Sequence, residues 1–163
     1  MKSNLKHIKR GIRMYFVDRN KISLALTYMK SIVLLIEKSP NLTSSELDKL
    51  ALERIAQNII ESIIDVGNSM IDGFIMRDPG SYDDIIDILT DEKVITDDMD
   101  DPLKEVIALR KMLVRDFLSV DHQQIASVLQ KHLEVLKIFP GHIEVYLTHE
   151  LGPVSAFSPL EQR

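Results

Sequence analysis

The 163-residue chain is predicted to fold as an all-α bundle, and three observations carry that expectation. Apolar residues recur at spacings of three and four along most of its length. No segment alternates with the two-residue period of a strand. Glycine and proline fall mainly between the periodic segments, where they act as stops.

Asp18 is a suitable N-cap for a first helix over about 19–38, with Ile22, Ala25, Leu26, Met29, Ile32, Val33 and Ile36 inward. Ser39-Pro40 stops it, because a residue before proline avoids helical dihedrals. Thr43 and Glu46 form a T-x-x-E capping box that opens a long second helix over about 44–75. Leu47, Leu50, Ile55, Ile59, Ile63, Val66, Met70 and Phe74 give its core face, and Gly67 and Gly73 weaken its far end. Asp78-Pro79-Gly80-Ser81 reads as a turn before a short helix over 82–89. Residues 83–101 hold nine acids against Lys93 alone, which makes that stretch a solvated acidic ledge. Thr96 and Asp97 open a third long helix reaching about residue 118, with Pro102 near its start. Asp121 caps a fourth, which Pro140-Gly141 breaks, and a last short helix covers 142–151. Four long amphipathic helices with short links make a bundle.

Composition narrows the function classes. With 45% hydrophobic and 28% charged residues the chain is a folded domain rather than a disordered one. The absence of cysteine excludes disulfides and thiolate chemistry. No apolar run approaches the ~20 residues of a membrane span, and residues 1–14, a basic N-terminal extension, lack the apolar region of a signal peptide. Lys2, Lys6, Lys9, Arg10 and Arg13 make that extension basic, so the remaining residues hold 15 bases against 25 acids. Such a surface argues against a broad phosphate-binding face and leaves room for a local basic groove. Nucleotide-binding glycine loops and zinc-protease or nucleophile-elbow motifs are absent from the sequence. The histidines at 7, 122, 132, 142 and 149 show no paired metal-ligand spacing, so no metal and no cofactor are expected.

Two features stand out from the bundle pattern. On the second helix Arg54, Asn58, Glu61, Asp65, Asn68 and Asp72 recur at alternating spacings of four and three, forming one polar stripe. It is either a solvated face or the lining of a groove between helices. On the third helix Arg110 interrupts the apolar run Leu103, Val106, Ile107, Leu113, Val114 and Phe117. An arginine there needs a carboxylate partner, and Glu61 and Asp65 are the candidates. Lys111 and Arg115 are neighbours one turn apart and add a basic spot.

The segment from Arg110 through Lys111, Met112, Leu113, Val114, Arg115 and Asp116 to Phe117, followed by Leu118-Ser-Val-Asp121, resembles the HepT-like branch of the HEPN superfamily. The resemblance spans about residues 15–150 and includes the acidic connection and the segment from Ile71 to Tyr82. It implies a four-to-five-helix up-and-down bundle over 15–151, a C-terminal tail over 152–163, and pairing as a homodimer. Active relatives are metal-independent ribonucleases with the motif R-x4-H-x-Y, facing across the dimer cleft. Many are toxins, paired with a nucleotidyltransferase-type antitoxin that modifies the motif tyrosine. Carried over, Arg110 takes the phosphate-binding position, Arg115 the histidine position and Phe117 the tyrosine position. Arginine stays protonated in proteins and phenylalanine has no hydroxyl, so general-base chemistry and modification lose their groups. The implied site is Arg110 and Arg115 as the catalytic pair, with Lys111 adding phosphate or RNA contacts and Glu61 and Asp65 in support. The implied function is a cytoplasmic, RNA-binding, toxin-type component with impaired catalysis. The alternatives are a ribonuclease using substitute residues such as Asp116 or Glu61, and a non-enzymatic dimeric module binding RNA, nucleotide or protein.

Overall fold

A computed structural model of the chain describes residues 17–152, and among them there are six helices and no strand. They are α1 (Arg19–Lys38), α2 (Glu46–Phe74), α3 (Tyr82–Asp91), α4 (Asp97–Val114), α5 (His122–Lys131) and α6 (Leu133–Leu151). The basic extension over 1–14 and the tail beyond Gly152 lie outside the described residues.

The long helix α2 is the spine, packing against α1, α3, α4 and α5. Its inward stripe of Leu52, Ala56, Ile59, Ile60, Ile63, Val66 and Met70 is completely or almost completely buried. Each such isoleucine removes enough apolar surface from water to contribute about 1.5–3 kcal/mol. Phe139 of α6 and Leu26 and Met29 of α1 close the same core.

Capping follows the local sequence. Asp18 accepts from the Lys21 amide and Asp121 from the Gln124 amide, as their positions predict. At α2 the cap is Ser45 rather than Thr43: its hydroxyl accepts from the Asp48 amide at 3.1 Å and donates to the Asp48 carboxylate. The two boxes overlap in sequence, and the register that buries Leu52 and Ala56 selects the later one. That register also corrects the expected core face, because Leu47 and Leu50 point outward and are 79% and 59% exposed.

Two boundaries differ from the periodicity. Helix α4 ends at Val114, not near residue 118, so Arg115 is its C-cap and Phe117 and Leu118 lie in the following turn, exposed. Nothing in the core receives Phe117, and the amide of Asp121 is held by the Met112 sulfur, which turns the chain toward α5. The fourth long helix is broken at His132, and α6 runs through Pro140 and Gly141 without interruption. His132 is buried and bonded to Glu105 of α4, which fixes the corner there. Proline lacks one amide but has a helix-compatible φ, so packing around the buried Pro140 retains the helix.

The glycines in α2 serve close approach rather than weakness. A β-carbon on Gly67 would stand 2.4 Å from the Ile85 Cγ2 of α3, and one on Gly73 would stand 2.7 Å from the Val17 Cγ2. These positions let α3 and the start of α1 lie directly on the spine.

Candidate functional site

The site is built where α2, α3 and α4 meet. Arg110 lies one turn before the end of α4, where the apolar stripe leaves the core: Val106 and Ile107 one turn earlier are buried, and Val114 one turn later is exposed. Its Nε donates to Glu61 Oε1 at 2.8 Å. Its guanidinium carbon stands 4.7 Å from the centre of the Tyr82 ring, a cation–π distance. The bond from Glu61 raises the Arg110 pKa above its ordinary value, so its charge is permanent. With Arg110 and Glu61 side chains 28% and 40% exposed, the pair sits at the edge of solvent rather than in the core.

Of the two carboxylates the stripe offered, Glu61 meets Arg110, whereas Asp65 is exposed one turn further on and is not bonded to it. Lys111 and Arg115 are exposed, and neither forms an ion pair or hydrogen bond through its side chain among the described residues. The helix end therefore presents one oriented guanidinium and two unpaired basic side chains close together in the chain.

Tyr82 is the site residue that sequence reasoning missed. It is the first residue of α3, and the turn before it is clamped. Asp84 accepts two bonds from Arg77, at 2.6 and 2.7 Å, and one from the Gly80 amide at 2.8 Å, while its own amide donates to Ser81. These bonds, led by Arg77, hold the Asp84 carboxyl down at about 2. The Asp-Pro-Gly-Ser turn was a visible signal, but nothing local shows that the ring behind it reaches Arg110.

On the other side of Glu61, the polar stripe of α2 lines a groove against α1. Its volume is about 350 Å3, and Arg54, Asn58, Glu61 and Asp65 face it from α2. Tyr28 and Ala25 close it from α1, with Ser62 at its base. The amide of Asn58 donates to the Tyr28 hydroxyl at 2.6 Å. The stripe is thus a groove lining over these four positions. Glu61 belongs to both the groove and the Arg110 contact.

The surroundings of the groove are apolar. Leu47 and Leu50 continue the stripe toward the start of α2 at the same helical spacing, and Leu24 and Leu35 flank Tyr28 on α1. Val114, Phe117 and Leu118 are exposed at the end of α4.

The remaining charged clusters bind the bundle together. Lys104 bridges Asp87 and Asp100 at 2.5 Å, which ties α3 to α4. His122 pairs with Glu53, joining α5 to α2. Glu105 receives His132 and Lys131, and the His132 bond is the main cause of its lowered pKa. Among the described residues no group of three or more histidines and acids is arranged to hold a metal ion. No helix among them is long and apolar enough to cross a membrane.

The family model described as "Ribonuclease HepT-like" matches residues 22–143. A Bacillus subtilis (strain 168) protein named "Putative RNase YutE" is 51% identical over 144 residues, which is 88% of this chain and 99% of that one. The solved structure of YutE, described as a cytosolic protein of unknown function, superimposes with a TM-score of 0.84, at 50% identity over 87% of this chain and 99% of that one. More distant structures share the fold. A tri-AMPylated Shewanella oneidensis HEPN toxin in complex with MNT antitoxin matches at a TM-score of 0.65 and 22% identity, over 77% of this chain and 95% of the toxin. The toxin–antitoxin structure MntA–HpeT gives 0.67 and 22%, over 76% and 98%.

Proposed function

Because the chain belongs to the ribonuclease HepT-like family, we propose that it is an RNA-binding, toxin-type member whose catalysis is impaired. The observation that carries this reading is Arg110 itself. A guanidinium stands in an apolar stripe, oriented by Glu61 and Tyr82, beside the unpaired Lys111 and Arg115. An arginine so fixed grips phosphate through charge-assisted hydrogen bonds, and the two neighbours add to the local potential. The histidine position of the family motif holds Arg115, which cannot take a proton from a 2′-hydroxyl at neutral pH. Glu61 bonds Arg110 through one oxygen, and its part in the site is to orient that guanidinium.

The same reading makes the protein a homodimer. Val114, Phe117 and Leu118, exposed together at the end of α4, are apolar surface that a second copy would cover. Two-fold pairing brings two Arg110 clusters to one cleft and doubles the phosphate contacts. A nucleotidyltransferase-type antitoxin is the cognate partner, by analogy with the neighbour bound to an MNT antitoxin, and the compartment is the cytoplasm. A second reading, a non-enzymatic protein-interaction dimer, is favoured by the apolar rim alone and dispenses with RNA.

Labelled single-stranded RNA incubated without metal with the native chain, Arg110→Ala and Arg115→Ala separates these readings. Binding without cleavage, weakened in both variants, is expected. Cleavage by the native chain that both variants lose would show a working ribonuclease instead. No binding, with dimer loss in Arg110→Ala, would leave the interaction module.

A further inference from the structure

We propose that the groove between α1 and α2 is a base-binding subsite selective for guanine in single-stranded RNA. This rests on the phosphate-binding reading of Arg110 and extends it to the neighbouring nucleotide.

The groove, about 350 Å3, shares Glu61 with Arg110, so a ligand in it lies next to a phosphate held by that guanidinium. Its polar groups are mostly unspent. Asn58 gives an amide hydrogen to the Tyr28 hydroxyl, while its side-chain carbonyl oxygen accepts no bond among the described residues. Asp65 accepts none either, and Glu61 gives one oxygen to Arg110 and keeps the other. Arg54 is the groove's cation, exposed and likewise without a side-chain partner among the described residues. The matching ligand brings adjacent hydrogen-bond donors for a carboxylate and a flat face for Tyr28 and Arg54.

Guanine has both. Its N1–H and N2–H2 groups are adjacent donors that one carboxylate accepts together. Adenine and cytosine set an acceptor beside their amino group, and uracil sets carbonyls on both sides of its single N–H. Each of those would bring an acceptor against Asp65 or Glu61. Tyr28 and the plane of Arg54 supply stacking surfaces, the usual means by which proteins hold an unstacked RNA base. Asp65, exposed and without a structural bond, then has a role in choosing the base.

The test is fluorescence anisotropy of the full chain with labelled pentanucleotides UUGUU, UUIUU and UUUUU, where I is inosine, which lacks the N2 amino group. The native chain is expected to bind UUGUU at least about fivefold more tightly than UUUUU, the discrimination of one bidentate base contact. UUIUU falls between them. In Asp65→Asn the ratio of UUGUU to UUUUU collapses toward one, and in Asp65→Glu part of it returns. Equal binding of all three by the native chain, or a ratio that Asp65→Asn leaves unchanged, overturns the subsite. If that equal binding is lost in Arg110→Met, the phosphate-binding reading stands without it. Failure to bind any of the three overturns both.

Discussion

Replacing Arg110 by methionine separates a functional arginine from a structural one. The position lies in an apolar stripe, so an unbranched thioether of similar length fits it. What the fold loses is modest. The Glu61 pair is open to solvent and is worth roughly 0–1 kcal/mol after screening. The contact with Tyr82, at 4.7 Å, adds about 0.5–1 kcal/mol at such a site. Methionine returns part of this by burying apolar surface. Glu61 is hydrated enough to stand alone, so no strongly desolvated charge is left behind. The net change is about 1 kcal/mol or less, a Tm shift of about 2–4 °C at most for a chain of this size. RNA binding suffers far more. One hydrogen bond to a charged group contributes about 1.5–3 kcal/mol, or roughly 10- to 150-fold in Kd. The salt dependence, plotted as log K against log salt, flattens by about 0.7 per lost single-strand phosphate contact. Thermal melting and anisotropy titrations at several salt concentrations read both quantities. A Tm drop beyond about 10 °C with unchanged RNA affinity would instead make Arg110 a structural ion-pair residue with no part in binding phosphate.

Gly67→Ala is expected to destabilise the chain by about 1–2 kcal/mol in urea unfolding. The helical gain of about 1 kcal/mol over glycine is outweighed by a methyl placed 2.4 Å from the branched Ile85 side chain. A more stable variant would mean that α3 moves off α2 freely. The Asp84 clamp gives a pH signature. Its pKa is depressed to about 2, so its stabilising effect is present above the ordinary carboxylate value and is lost as pH falls toward 2. The Tm difference between the native chain and Asp84→Asn should therefore stay constant above about pH 5 and shrink between pH 4 and 2. A difference unchanged down to pH 2 would show that Asp84 acts without its charge.

Much of the fold was legible without coordinates because α-helices are specified locally. The period of Ile22, Leu26, Met29 and Val33 on α1, and the caps at Asp18 and Asp121, need only the nearest turn of chain to be interpreted. The odd placement of Arg110 was legible for the same reason, since an apolar stripe marks any charge that interrupts it. Periodicity also narrowed its partner to Glu61 or Asp65, one turn apart on another helix.

What remained was decided by contacts between helices. The rotation of α2 about its own axis sent Leu47 and Leu50 outward and chose Glu61 over Asp65, and a helix's rotation depends on all its neighbours together. His132, through its bond to Glu105 on α4, ended α5 ten residues into a continuous apolar pattern, where local signals pointed to Pro140. Tyr28 and Tyr82 reach the site from separate helices, brought there by the packing of α1 and α3 on the spine. Local residue patterns make this chain helical, set which faces are apolar and mark Arg110 as out of place. What surrounds that arginine depends on helix packing, because the residues around it are distant in the chain and meet only when the core closes.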